Sequence, residues 1–137
     1  MTTINGTKKE FVGLVNGIYA LQNVEGKAFA IKASKNLKVL QDNLKDIEVA
    51  GQPSAEFLEL AKQVNEIAKE DAEDSKDRID ALEAENEKLV KERQEQIEAL
   101  ETMLNDEISI KLETISEEEL PNAITTAQIS SIQKIIK

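Results

Sequence analysis

Apolar side chains in residues 7–48 recur with the period of a helix. Phe11, Leu14, Val15 and Ile18 fall on one stripe, with Val12, Tyr19 and Leu21 near its edges. Thr7-Lys8-Lys9-Glu10 opens this helix as a capping box, in which hydroxyl and carboxylate each satisfy an orphan backbone N–H. The opposite side carries Gly13, Gly17 and Ala20. A helix-interior glycine costs about 1 kcal/mol relative to alanine, so these glycines are either incidental or mark the close approach of a second backbone. Gly26 is placed to end the helix as a C′ residue. A second helix is predicted from about residue 27 to 48, with Phe29, Ala33, Leu37, Leu40, Leu44 and Ile47 on one face. The two together predict an antiparallel helical hairpin.

Gly51-Gln52-Pro53 interrupts the pattern, and Ser54 is a good N-cap with Glu56 in the first turn. No Pro or Gly follows until beyond Leu104, which allows one helix about 77 Å long. Its first third has a core-type face of Phe57, Leu60, Ala61, Val64, Ile67 and Ala68. Residues 66–80 carry ten charges in fifteen positions, so the chain there either crosses solvent as a helix or breaks into a loop. Continuity is the reading adopted. In the last third Ile79, Leu82, Asn86, Leu89, Arg93, Ile97, Leu100 and Leu104 step by threes and fours, with one extra four-step. This is a coiled-coil seam with a stutter, and an Asn on such a seam fixes register. Its partner is either a second copy or the chain's own first hairpin. An arm of this length favours self-association.

The period then changes to two. Ile108, Ile110 and Leu112 alternate with Ser109, Lys111 and Glu113, which predicts a half-buried strand whose evident partner is the Thr2-Thr3-Ile4 run at the start. Ser116 to Glu119 reads as a short capped turn ending at Leu120-Pro121. Thr125 and Gln128 form a second capping box, Ile124 and Ile129 a hydrophobic staple, and Ile132, Ile135 and Ile136 continue an apolar face that must dock. The fold class expected is mainly α: a helical hairpin (1–50), a long acidic helix with coiled-coil character (51–105), and a C-terminal strand with a short docking helix (106–137). The two chain ends pair as a small two-stranded β-ribbon.

The chain has 137 residues, 17 Lys and Arg against 27 Asp and Glu, and no His or Cys. Zinc-finger, iron–sulfur, thiol and imidazole-base chemistry are thereby excluded. The net charge of −10 is uneven: residues 51–120 hold eight basic and 22 acidic side chains. Such a segment repels nucleic acid. No apolar run is long enough to span a membrane and residues 1–25 lack a leader pattern, so a cytoplasmic protein is expected.

Candidate chemistry is sparse. Asp71, Asp74 and Asp77 resemble a ligand series, but spacing of three spreads them along a helix, and no EF-hand loop is present. No phosphate-binding glycine loop occurs and no hydroxyl is paired with a base, so neither enzymatic activity nor a cofactor is expected. Lys27, Lys32, Lys35 and Lys38 give four positive charges with no acid between Gly26 and Gln41. Lys27, Lys35 and Lys38 fall within about 80° of one another on a helical wheel. This is either a solvated face or an anion site for a phosphate, a nucleotide or an acidic protein segment.

The order of parts resembles a family of small uncharacterised proteins of tailed bacteriophages. The residues behind this are the short N-terminal strand, Leu21 with Val24-Glu25-Gly26-Lys27-Ala28, and the spaced Lys32, Lys35, Leu40 and Leu44. At the other end they are the strand 107–113 and Leu120-Pro121-Asn122-Ala123-Ile124-Thr125-Thr126-Ala127-Gln128. The resemblance covers about 75 residues and implies a phage origin and a host cytoplasm, without an activity. Three functions follow as expectations. The first is a non-enzymatic accessory protein that blocks a host or defence protein through an acidic face including Asp71, Asp74, Glu83 and Glu87. The second is an oligomeric binder that sequesters a nucleotide signal at the lysines. The third is a virion assembly or scaffold protein.

Overall fold

The computed structural model describes residues 1–137. Its elements run β1 (Thr2–Thr7), α1 (Lys8–Ala20), α2 (Lys27–Asn43), α3 (Lys45–Gly51), α4 (Ala55–Glu70), α5 (Ser75–Glu85), α6 (Glu87–Leu104), β2 (Glu107–Leu112) and α7 (Thr126–Ser131), with 3-10 turns at Glu117–Glu119 and Gln133–Ile135. The protein is mainly helical, and β1 and β2 form its one sheet. Two compact units result, Met1–Ile47 with Thr102–Lys137, and Glu48–Glu101.

In the first unit β1 and β2 pair antiparallel, from Thr2 opposite Leu112 to Thr7 opposite Glu107. Strict alternation sends Ile110 and Leu112 into the core and leaves Ser109 and Lys111 exposed. Thr7 ends the strand and starts α1: its hydroxyl accepts from the Glu10 N–H at 3.2 Å and its own N–H donates to the Glu10 carboxylate at 3.2 Å. The core gathers Phe11, Leu14, Ile18 and Leu21 with Phe29, Ala33, Leu40 and Leu44 of the second helical segment. Ile110, Leu112, Ile115, Ile132 and Ile135 close it from the C-terminal part.

The C-terminal segment docks as its apolar face requires. Ile115 N–H donates to Ile135 O at 2.7 Å and Lys137 N–H to Ile115 O at 3.0 Å, a parallel bridge between coil segments. The Thr125–Gln128 capping box is formed, as is the one between Ser116 and Glu119. Gly17 does mark a close approach, because a Cβ there would lie 2.6 Å from the Ser131 carbonyl oxygen. Gly13 faces open space.

Two boundaries differ from expectation. Gly26 is not the C′ residue of α1, which stops at Ala20; it precedes α2 at φ +156°, a backbone angle that side chains oppose. The second helix does not run to residue 48. It ends at Asn43, whose side-chain amide donates back to Val39 O at 2.8 Å, and α3 starts afresh at Lys45.

A carboxylate holds the segment after β2. Lys32 Nζ donates to the Glu119 carboxylate at 2.8 Å and to Thr114 O at 2.9 Å, while Ser116 donates to Glu119 through its N–H and its hydroxyl. The Lys32 ammonium and then these two Ser116 donors bring the Glu119 carboxyl down from its ordinary 4.5 to about 2. On acidification the unfolded chain takes up this proton first. The contribution of Glu119 to stability is therefore whole above pH 4.5, declines as pH falls below it and is lost below about 2. Glu119→Gln should flatten that part of the stability–pH profile, read from denaturation midpoints between pH 5 and about 2.

In the second unit the expected continuous helix is broken. Residues 66–70 end α4, 71–74 turn, and 75–80 begin α5. The acidic segment folds back on itself as an antiparallel hairpin of α4 against α5 and α6.

Candidate functional site: the acidic hairpin

The reversal is made by polar side chains. Asp71 adopts the left-handed conformation, φ 47° and ψ 39°. Asp tolerates that region better than most residues because its short side chain is small and polar. The Ser75 hydroxyl, buried at the turn, accepts from the Ala72 N–H at 3.0 Å and donates to Ile67 O at 3.2 Å. Arg78 on α5 pairs across the turn with Glu70 at the end of α4. Replacing Asp71 by Gly should relieve the left-handed strain and stabilise the hairpin by up to about 1 kcal/mol, whereas Asp71→Val should destabilise it by at least as much. Thermal melts followed by helical circular dichroism read both.

Beyond the turn the two arms pack through the stripe assigned above to a coiled-coil seam. Leu82 lies by Gln63 and Ile67, Leu89 by Leu60 and Gln63, and Leu100 by Gly51. The Arg93 guanidinium stacks 5.8 Å from the centre of the Phe57 ring. Ile79, Leu82, Asn86, Leu89, Arg93, Ile97 and Leu100 are half-buried, and Leu104 belongs to the first unit. The stripe thus has a partner within its own chain, α4, because the turn at Asp71 returns an apolar face of matching period. Asn86 uses its amide locally, donating to Leu82 O at 2.9 Å.

Two polar residues on α6 close the base of the hairpin, a role the sequence does not reveal. Arg93 donates to Gly51 O at 3.1 Å, and Gln96 to Ala50 O at 2.9 Å and Gln52 O at 2.6 Å. These carbonyls are the orphan acceptors at the C-terminal end of α3, satisfied by side chains from another helix.

The charge distribution sharpens on this division. Residues 48–101 carry seven basic and 17 acidic side chains, and the first unit balances ten against ten, so the whole net charge of −10 resides on the hairpin unit. Asp71 and Asp74 sit at its tip, Glu83 on α5 and Glu87 at the start of α6; all four are exposed. They are not one cluster. Glu83 and Glu87 belong to a stripe of exposed positions, Asp80, Glu83, Glu87, Val90 and Gln94, that steps by three and four along the second arm. No group of three carboxylates converges to hold a metal ion.

The four lysines of α2 separate in the same way. Lys32 is half-buried and turned to Glu119, whereas Lys27, Lys35 and Lys38 are exposed on the outer face. Between α1 and α2 lies an apolar groove of about 210 Å³, lined by Ile18, Leu21, Phe29, Ala33 and Leu37. The Tyr19 hydroxyl at its rim accepts from Gln41. No helix is long and apolar enough to cross a membrane. Against protein-family models, curated proteins and solved structures, the chain finds no match.

Proposed function

We propose that this protein is a non-enzymatic binding module of phage type whose acidic hairpin occupies a basic surface, of the kind that holds nucleic acid, on a host or defence protein. The observation that carries this reading is the confinement of the entire net charge to one hairpin. A single-sign field on an elongated pair of helices steers a basic partner toward it and excludes acidic ones. The carboxylates of Asp71, Asp74, Glu83 and Glu87 are exposed and none lies within ion-pair distance of a cation; Asp74 alone acts on an internal cation, Arg78, through space. Nucleotide sequestration at the lysines gains less support, since Lys32 is committed to Glu119.

The test is affinity capture from bacterial lysate with the wild type and with Asp71, Asp74, Glu83 and Glu87 all changed to Lys. The wild type should retain a basic protein that both salt and added DNA displace, and the variant should lose it. Retention of the same protein by the variant would refute the proposal.

A further inference from the structure

The outer face of α2 and the second arm of the hairpin are opposite in charge, and each carries an exposed apolar residue. On α2, Ile31 stands 48% exposed between lysines, with Lys35 one turn and Lys38 two turns further along. On the hairpin, a cleft of about 230 Å³ is lined by Phe57, Leu60, Ala61, Val64 and Val90, with Glu83 on its rim. Val90 is 36% exposed there. The backbone bonds Asn86 N–H to Leu82 O and Val90 N–H to Asn86 O, 3.2 and 3.1 Å, carry the helical path across the α5–α6 junction. Glu83 therefore lies seven residues before Val90 on one helical course, as Lys38 lies seven after Ile31. Each separation is about 10.5 Å. Set antiparallel with Ile31 against Val90, the helices bring Lys38 to Glu83 and Lys35 within one residue of Glu87.

We infer that the hairpin of one copy docks on the α2 face of a second copy, with Ile31 entering the Phe57–Val90 cleft and Lys35 and Lys38 facing Glu83 and Glu87. The contact is heterologous: it joins two different surfaces of the same chain. It has the anatomy of a small interface, an apolar anchor ringed by charge. It rests on the reading of the hairpin as a protein-docking surface. A basic partner and a second copy then compete for the same carboxylates.

Sedimentation velocity over a range of concentrations tests it. At low ionic strength the average mass of the wild type should rise with concentration, and 1 M salt, where charges are screened beyond about 3 Å, should suppress the rise. Lys35→Glu with Lys38→Glu, and separately Glu83→Lys with Glu87→Lys, should each weaken association by about tenfold or more. Mixing the two variants should restore it, because each supplies a surface complementary to the other. Both variants change exposed side chains, and circular dichroism is the check that they fold. A wild type that stays monomeric at low salt overturns the inference, as does a mixture that fails to associate. The partner-binding reading is scored separately: the Lys35/Lys38 variant leaves the hairpin untouched and should still capture the basic partner.

Discussion

Replacing Asn36 by Leu should lower the unfolding free energy by about 3 kcal/mol, the loss expected when two backbone groups inside the structure are left unpaired. Asn36 lies on the core-facing side of α2 among Phe29, Ala33 and Leu40 and is 0% exposed. Its amide N–H donates to Glu113 O at 2.9 Å, and its amide oxygen accepts from the Glu113 N–H at 2.7 Å. The side chain thus completes the outer edge of β2 one residue beyond the strand, where no third strand is available. Leucine nearly matches the volume, so the loss reports the hydrogen bonds more than a cavity. Ser34→Ala, on the exposed side of the same helix, should stay within about 0.5 kcal/mol of the wild type. Chemical denaturation of the three proteins measures both values.

Gly17→Val should destabilise the protein by about 3 kcal/mol through overpacking, while Gly13→Ala should stabilise it by about 1 kcal/mol. The two glycines lie four residues apart in α1 with opposite surroundings. A Cβ at position 17 meets the backbone of Ser131 at 2.6 and 3.0 Å, and that backbone is fixed by the docking of Ile132 and Ile135 beside it. At position 13 a Cβ meets nothing within 4 Å, so only the helix propensity changes. Opposite signs in one denaturation series are the expected result. Equal losses would mean that α7 does not pack where described.

These residues also mark the limit of what the pattern of residues discloses. The strand pairing was legible because Ile108, Ile110 and Leu112 alternate and the chain offers one complementary run. The helix starts at Thr7, Ser54 and Thr125 were legible because capping is local chemistry within four residues. Gly13 and Gly17 are indistinguishable by spacing, because what separates them is a backbone more than a hundred positions away. Asn36 is not singled out by the spacing of α2, because the backbone it pairs with lies 77 positions away.

The turn at residues 71–74 is one of two readings of the charged stretch and not the one adopted, for a related reason. It contains no Gly or Pro, the usual punctuation. What reverses the chain is Asp71 in the left-handed region and a serine hydroxyl reaching eight residues back to Ile67. The seam stripe reads as a self-association face, or one that folds on the first hairpin, and its helical partner is instead α4 of the same chain, which this turn returns alongside it. Arg93 counts as a member of that stripe and Gln96 lies outside it, yet both cap α3 from a distance of more than 40 residues. The carboxylates Glu83 and Glu87 are picked out by the acidity of their segment, but the cleft beside them exists only once α4 lies against α5 and α6.

Both the proposed function and the self-association require the acidic segment to be folded back as a hairpin. The chain has no cysteine, so spin labels on Glu59→Cys and Lys88→Cys are the only two in the molecule, and both positions are exposed. Pulsed electron resonance on this pair, diluted with unlabelled protein, reads the distance between the arms. Side-by-side helices place their axes about 8–10 Å apart, and the hairpin predicts a short, narrow distance that label arms lengthen only modestly. A continuous helix would separate the two positions by about 44 Å, and a distance near that value would contradict the fold-back and both readings built on it.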